Sequence, residues 1–166
     1  MLGSLSGRTG QCFGRFDLLH YGHIKMLEFC SLHCDVLLVG VAADEYCLRR
    51  GIPCAREVGD RELVIKAIRY VEFTFRYDEH DPLKLWLARP TDVIFLNPEH
   101  RDDPVYRACL PTLESKAQVI WIPRTPGISG TEIRGRILGR DAGNRDLSHD
   151  LAQGVYPPVP EQIVQI

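Results

Sequence analysis

The stretch DVLLVGVA, residues 35–42, decides the fold class of this chain. It is a continuous apolar run of strand length, which is typical of strands buried on both faces of a parallel sheet. DVIFLN (92–97) and QVIWIP (118–123) repeat this pattern, and GQCFG (10–14) and EFTFRY (72–77) are shorter candidates. Segments with helical spacing separate these runs, so the sequence predicts an α/β fold with a doubly wound parallel sheet.

The separating segments predict helices with recognisable ends. They are GHIKMLEFCSLH (22–33), GDRELVIKAIRYV (59–71), DPLKLWLARP (81–90), DPVYRACLPTLESK (103–116) and ISGTEIRGRIL (128–138). We expect Asp60 to cap the second helix and Asp81-Pro82 to open the third. Pro111 is expected to break or bend the fourth helix, and Ser129 has capping-box spacing in the fifth.

Length and charge limit the classes of function. The chain has 166 residues and a net charge of −2, which fits one domain and does not favour nucleic acid as a partner. No run approaches the roughly 18 apolar residues of a membrane span, so no membrane insertion is expected. Six cysteines without a CxxC pair indicate a reducing, cytoplasmic location. We expect a domain over residues 1–140 and an irregular C-terminal extension over 141–166.

FGRFDLLHYGHIKML (13–27) places two histidines where the first predicted strand passes into a helix. Open parallel sheets bind ligands beyond the carboxyl ends of their strands. A helix N-terminus presents unpaired N–H groups that favour a phosphate. His20 and His23 can point at such a phosphate, and Gly14 and Gly22 would let the backbone approach it closely.

Three segments resemble a known family. GRFDLLHYGHIKML (14–27) resembles the GxFDxxHxGH signature of the cytidylyltransferase branch of the HxGH nucleotidyltransferase superfamily. RTPGISGTEIRGRI (124–137) is similar to its RTEGISTSxI signature, and DRELVIKAIRYVEF (60–73) to its ER…IRYVDEV helix. Within this branch, the three segments most resemble glycerol-3-phosphate, phosphocholine and phosphoethanolamine cytidylyltransferases. The resemblance covers about residues 10–139. It implies a Rossmann-like nucleotidyltransferase fold and transfer of CMP from CTP to a small phosphomonoester, with release of pyrophosphate.

The resemblance also implies roles for individual residues. The catalytic candidates are His20, His23, Arg50 and Arg124. The nucleotide-binding candidates are Gly14, Arg15, Phe16, Asp17, Gly22, Arg69, Thr125, Ile128, Ser129 and Thr131. Asp17 would brace the turn or help to place a divalent metal, and Arg61 and Arg69 would lie near the active site and the interface of a homodimer. Mg²⁺ is expected on the triphosphate oxygens, with no dedicated set of protein ligands.

The chain departs from the family pattern in three places. A lysine-rich segment is replaced by EYCLRRGIPCARE (45–57), so Arg50, or Arg49, would stand in for a lysine. A GDDW-like sequence is replaced by LNPEHRDD (96–103), so we do not expect glycerol 3-phosphate as the acceptor, although Asn97 and His100 can still line the pocket. Arg15 replaces a small residue and adds a cation beside the nucleotide.

Three alternatives remain open. The first is an adenylyltransferase that uses ATP at the same histidines. The second is a non-catalytic nucleotide-binding regulatory or scaffold protein, motivated by the absent lysine and the LNPEH segment. The third is a metal site from His20, His23, Cys30, His33 and Cys34. The last three of these fall about two turns beyond the histidine pair, so the metal site is disfavoured and the cysteines are expected in the core.

Overall fold

A computed structural model describes residues 7–137, and in it five parallel strands form one sheet in the order β3–β2–β1–β4–β5. The strands are β1 Thr9–Gly14, β2 Val36–Ala42, β3 Phe73–Tyr77, β4 Val93–Leu96 and β5 Gln118–Trp121. All five predicted strands are present. The order of the strands reverses at β1, because β2 and β3 extend the sheet on one side of it and β4 and β5 on the other. The carboxyl ends of β1 and β4 are therefore the expected ligand crevice.

Six helices lie between or after the strands within the described range. They are α1 Tyr21–Ser31, α2 Asp44–Arg49, α3 Val58–Lys66, α4 Pro82–Ala88, α5 Pro104–Glu114 and α6 Gly130–Ile137, with a short 3₁₀ helix at Pro98–His100. The short helix α2 was not predicted. The alternation of strands and helices confirms the doubly wound α/β fold.

The core has two layers, one on each face of the sheet. On one face, Leu27 of α1 and Ile65 of α3 pack with Cys12 of β1. On the other face, Leu85 of α4 packs with Phe13, the next residue of β1. Successive residues of β1 therefore enter opposite layers, as the side-chain alternation of a strand requires.

Two helix predictions need correction. Helix α3 begins after Glu57 and ends at Lys66, so Asp60 lies inside it and is not its cap. The Val58 N–H donates to Asp44 Oδ2 at 2.9 Å, and this long-range partner takes the place of a local cap. Helix α5 is not broken at Pro111, because it continues to Glu114, and the Pro111 carbonyl accepts from the Ser115 N–H at 3.3 Å.

Two cap predictions are confirmed. Asp81 Oδ1 accepts from the Leu83 N–H at 2.9 Å at the start of α4, and Ser129 Oγ accepts from the Glu132 N–H at 3.1 Å at the start of α6. The predicted extension over residues 141–166 lies outside the described residues. From residue 7 to residue 137, no helix is both long enough and apolar enough to cross a membrane.

Candidate active site

His20 and His23 stack where β1 leads into α1. His20 has an extended backbone immediately before α1, and His23 lies in the first turn of the helix. Their ring centroids are 3.8 Å apart with an interplanar angle of 25°. His23 Nδ1 accepts from the His20 backbone N–H at 3.3 Å, so a neutral His23 ring carries its proton on Nε2.

Both histidines are neutral at neutral pH. Burial lowers the pKa of His23 to about 4, with further lowering by the neighbouring His20 and Arg15. Burial also lowers the pKa of His20, and Glu132 opposes this shift. His20 Nδ1 is buried without a hydrogen-bond partner in the described part of the chain, and a buried donor is orphaned more rarely than an acceptor. The His20 proton therefore belongs on Nε2, and the pair offers two neutral N–H donors.

Both predicted glycines permit close packing of protein against protein. A Cβ atom at Gly22 would lie 2.9 Å from His20 Nδ1 and 2.9 Å from Ile128 Cγ2. A Cβ atom at Gly14 would lie 2.7 Å from the ring of Phe16. Both glycines thus allow Ile128 and Phe16 to pack against the histidine turn. Their close approach to a ligand stays a prediction.

Phe16 and Asp17 hold this turn in place. Phe16 is buried with a φ of 52°, a left-handed conformation that is uncommon outside glycine, and its ring lies 5.3 Å from that of His23. Asp17 is also buried. One carboxylate oxygen accepts from the N–H groups of Ala55 at 2.8 Å and Arg56 at 3.0 Å, and the other pairs with Arg134. Asp17 thus braces the turn, and both of its oxygens are already engaged.

Arg61 is fully buried beneath the same turn. Its guanidinium donates to the carbonyl oxygens of Arg15 and Ala42, the latter at 2.8 Å, and to Asp44 Oδ1 at 2.6 Å. A planar fork with several donors suits this arrangement of backbone acceptors. Arg61 therefore lies close to the site, as expected, and positions the backbone that carries Arg15.

The segment before α6 reaches the start of α1. Tyr21 Oη donates to the Pro126 carbonyl at 3.2 Å, and Ile128 lies next to Gly22. The two motifs from opposite ends of the chain thus meet at the histidine pair. Of the remaining candidates in this segment, Thr125 and Ser129 are half-buried, and Arg124 and Thr131 are exposed.

Three arginine candidates have different placements. The charge of Arg15 acts both on His23 and on Tyr77 at the end of β3, and that of Arg50 acts on His100. Arg15 directly follows β1, and Arg50 is the C-cap residue of α2, which follows β2, so both lie beyond the carboxyl ends of strands. Arg69 is exposed beyond the end of α3, where it donates to the Tyr70 hydroxyl at 2.8 Å.

The position of Tyr70 shows how far Arg69 lies from the histidines. The Tyr70 hydroxyl donates to Glu28 in the last turn of α1, whereas the histidines lie at the first turn. The structure thus does not bring Arg69 together with the histidine pair of its own chain.

Several side chains in this region carry no signal in the sequence. Arg134, which was not predicted as a site residue, pairs with the buried Asp17. The same holds for Tyr46, His80 and Asp103, which form a hydrogen-bonded network above the strand ends. Asn97, which was expected to line the pocket, donates to the Phe13 carbonyl at 3.3 Å. No local pattern signals these partners, because they come from distant elements.

The described residues offer no dedicated metal site. From residue 7 to 137, no three His, Cys, Asp or Glu side chains are grouped to hold a metal. Instead, His33 Nδ1 bonds the Phe29 carbonyl at 2.8 Å, and Cys30 is part of the core. The alternative of a five-residue His/Cys metal site is therefore wrong.

Comparisons with known proteins agree with this geometry. The model of the cytidylyltransferase-like family matches residues 11–136. A glycerol-3-phosphate cytidylyltransferase of Bacillus subtilis is 35% identical over 130 residues, covering 76% of this chain and 95% of the relative. One of Staphylococcus aureus is 31% identical over 136 residues, with coverage of 78% and 95%. An ethanolamine-phosphate cytidylyltransferase of Arabidopsis thaliana is 32% identical over 137 residues, covering 75% of this chain and 31% of the relative.

A solved structure supports the fold. A lipopolysaccharide core biosynthesis protein from Thermoplasma volcanium GSS1 aligns with a TM-score of 0.63 at 23% identity, covering 72% of this chain and 98% of the other. The family match spans most of the chain, and two relatives above 30% identity are covered almost completely. The chain therefore belongs to the cytidylyltransferase-like family of nucleotidyltransferases.

Proposed function

We propose that the protein transfers CMP from CTP to a small phosphomonoester and releases pyrophosphate, giving a CDP-linked product. The observation that carries this proposal is the stacked pair of neutral histidines at the N-terminus of α1. The segment before α6 contacts the start of this helix. Relatives named as glycerol-3-phosphate and ethanolamine-phosphate cytidylyltransferases support CTP and a phosphorylated alcohol as the substrates.

The reaction needs little acid–base chemistry. A phosphomonoester is largely ionised at neutral pH, so its oxygen can attack the α-phosphorus of CTP without a general base. A new P–O bond forms to the acceptor, the bond between the α-phosphorus and its bridging oxygen breaks, and the electron pair leaves with pyrophosphate. Positioning and charge stabilisation then supply most of the catalysis.

The site residues divide this work between them. The Nε2–H groups of His20 and His23 donate to the phosphate oxygens as negative charge shifts toward pyrophosphate. The N-terminus of α1 adds unpaired backbone N–H groups at the same place. Arg15, Arg50 and Arg124 supply the positive charge that the neutral imidazoles lack.

The remaining candidate residues help to position the nucleotide. Thr125 offers a hydroxyl group in the segment before α6, and Thr131 offers one in the first turn of α6. Ile128 packs against Gly22. Ser129 contributes as the cap of α6, because its hydroxyl already accepts from the Glu132 N–H.

Mg²⁺ is proposed to enter with the triphosphate. The nearby carboxylates are engaged, since Asp17 accepts from two backbone N–H groups and Arg134, and Asp44 from Val58 and Arg61. This donor set fits an ion held mainly by phosphate oxygens and water. When bound, Mg²⁺ neutralises part of the triphosphate charge.

We also propose a homodimer in the cytoplasm. Leu63 of α3 is 68% exposed, and Phe73 of the edge strand β3 is 38% exposed, so this side of the molecule offers apolar surface to a second copy. The six cysteines are free thiols, which suits a reducing compartment. Light scattering after size-exclusion chromatography tests the dimer, because a monomeric mass at micromolar concentration excludes it.

Pyrophosphate release tests the reaction. CTP and ATP are each combined with a panel of phosphomonoesters, and release is followed over time. Turnover with CTP supports the proposal, and turnover with ATP alone identifies an adenylyltransferase. Tight nucleotide binding without turnover on any acceptor identifies a non-catalytic nucleotide-binding protein.

A further inference from the structure

Three side chains form a hydrogen-bonded network that the proposed mechanism does not use. The Tyr46 hydroxyl on α2 lies 3.0 Å from Nδ1 of His80, which follows β3. The Nε2 atom of His80 lies 2.8 Å from Oδ2 of Asp103, the residue that precedes α5. This network, which we call the tyrosine relay, therefore joins α2, the loop after β3 and the start of α5 beyond the carboxyl ends of β2, β3 and β4.

The direction of each hydrogen bond follows from the ionisation states of Asp103 and Tyr46, the two ends of the relay. Burial tends to raise the pKa of Asp103, but hydrogen bonds from His80 and the Val105 N–H outweigh it and leave this pKa low. Burial raises the pKa of Tyr46, which stays a neutral phenol although Arg50 opposes the shift. An ionised Asp103 accepts from Nε2–H of His80, so Nδ1 accepts from the Tyr46 hydroxyl. The Tyr46 oxygen keeps its lone pairs for another donor.

Neighbouring rings hold His80 in this orientation. Its centroid lies 5.4 Å from that of Tyr106 and 5.9 Å from that of His100, both edge-on. His100 and Tyr106 stack on each other at 4.6 Å. With two hydrogen bonds and two ring contacts, His80 has little freedom to rotate, so the acceptor oxygen of Tyr46 is preorganised.

The relay belongs to the same crevice as the histidine pair. The ring of Tyr46 lies 5.4 Å from that of Tyr77, and the ring of Tyr77 lies 5.5 Å from that of Phe13 in β1, the strand that leads into the histidine turn. The relay and the histidine pair therefore lie beyond the carboxyl ends of strands of the same sheet. An acceptor whose phosphate reaches the histidine pair can extend the rest of its carbon chain toward Tyr46.

Charges of both signs surround the relay. Arg50, Asp103 and Glu79 act on Tyr46, and Arg15 acts on Tyr77. The carboxylates are hydrogen-bonded within the protein, since Glu79 accepts from two backbone N–H groups and from Lys84. A hydroxyl group of the acceptor would meet a free lone pair on the Tyr46 oxygen.

We propose that Tyr46, held by His80 and Asp103, selects the acceptor by accepting a hydrogen bond from its hydroxyl group, so that the acceptor is a polyol or sugar phosphate. This inference rests on the proposed nucleotidyl transfer. Tyr46 contacts the acceptor, and His80 and Asp103 are positioning residues. A site built to bond a hydroxyl group rejects analogues that lack it, because its own polar atom is then left unpaired.

Variants of the relay separate positioning from general structural damage. Tyr46→Phe and His80→Ala are expected to lower kcat/KM for the polyol phosphate by about tenfold or more through KM, while KM for CTP changes by no more than about twofold. His80→Gln should recover most of the activity, because its amide can donate to Asp103 and accept from Tyr46. Tyr70→Phe is the matched control, since its hydroxyl bonds Glu28 at the other end of α1.

The acceptor panel completes the test. Glycerol 3-phosphate, erythritol 4-phosphate and a hexose 1-phosphate are compared with phosphoethanolamine and phosphocholine at equal concentration. Preference for the hydroxylated acceptors, lost in Tyr46→Phe, supports the inference. Equal or better turnover with an aminoalcohol phosphate, or an unchanged acceptor KM in Tyr46→Phe and His80→Ala, overturns the inference and leaves nucleotidyl transfer standing. Absence of turnover with every acceptor overturns both.

Discussion

Asp17, in the turn between β1 and α1, forms an ion pair with Arg134 of α6, 117 residues further along the chain. The other oxygen of the buried carboxylate accepts from the N–H groups of Ala55 and Arg56. Three segments around the histidine pair therefore converge on one side chain. Loss of that side chain should loosen the site and the fold together.

Replacement of Asp17 tests this convergence. We expect Asp17→Ala to lower the free energy of unfolding by about 3 kcal/mol, because Arg134 and two backbone N–H groups lose a buried partner. Urea denaturation measures the change. Arg107→Ala, which removes an exposed pair with Asp102, is the control and should cause no measurable change. Equal stability of Asp17→Ala and the wild type would show that the ion pair does not hold these segments.

Gly22 should be intolerant of a side chain for a steric reason. In Gly22→Ala the new Cβ would lie 2.9 Å from both His20 Nδ1 and Ile128 Cγ2, so either the ring or the α6 segment must move. A displacement of this kind should lower kcat/KM by about tenfold or more. Gly59→Ala is the control: its nearest neighbour is 3.8 Å away and it lies in α3, so activity should be kept. Wild-type kinetics for Gly22→Ala would refute the close approach.

The buried state of His23 predicts how stability depends on pH. The unfolded chain binds a proton on this ring near its ordinary pKa of 6.5, whereas the folded protein does not do so until about pH 4. The unfolded state therefore binds more protons in this window, and the free energy of unfolding falls as pH falls, by about 3 kcal/mol in total. The contribution is fully present above pH 6.5. Denaturation of the wild type and of His23→Gln across this range checks it, because only the wild type should show this slope; equal slopes would contradict the buried, neutral state.

Arg50 should carry the charge that a lysine supplies in the family pattern. Arg50→Ala is expected to lower kcat by about 100-fold, because it removes a cation from the crevice where negative charge develops. Arg49→Ala is the matched control, since both arginines are exposed and the Arg49 side chain donates to the Asp78 carbonyl at 2.8 Å. Similar losses in both variants would assign the effect to general electrostatics and not to Arg50.

The sequence predicts the sheet well because its signals are local. Each buried strand is one apolar run, and the caps Asp81 and Ser129 bond N–H groups within three residues of themselves. Helix α2 was not predicted, because six residues are too few to establish a helical period. Helix α3 is misjudged at both ends, since its cap comes from Asp44 and its apolar spacing continues past Lys66 into turns.

The candidate site is predictable only where its residues are neighbours in the chain. His20 and His23 are three residues apart at a helix start, and their pairing follows from that spacing. The tyrosine relay has no such signal, because its hydrogen bonds join residues that are 34 and 23 positions apart in the chain. The same argument explains Arg69: the chain leaves α3 at Lys66, and the side chain lies at the far end of α1.

The most direct test of nucleotidyl transfer at the histidine pair is the rate of CTP-dependent pyrophosphate release by His23→Ala. The account predicts a loss of kcat of at least about 100-fold, because a preorganised donor to the transition state is removed. Circular dichroism and the thermal midpoint of the same sample verify that the fold is intact. A folded His23→Ala protein that releases pyrophosphate at close to the wild-type rate would contradict the account.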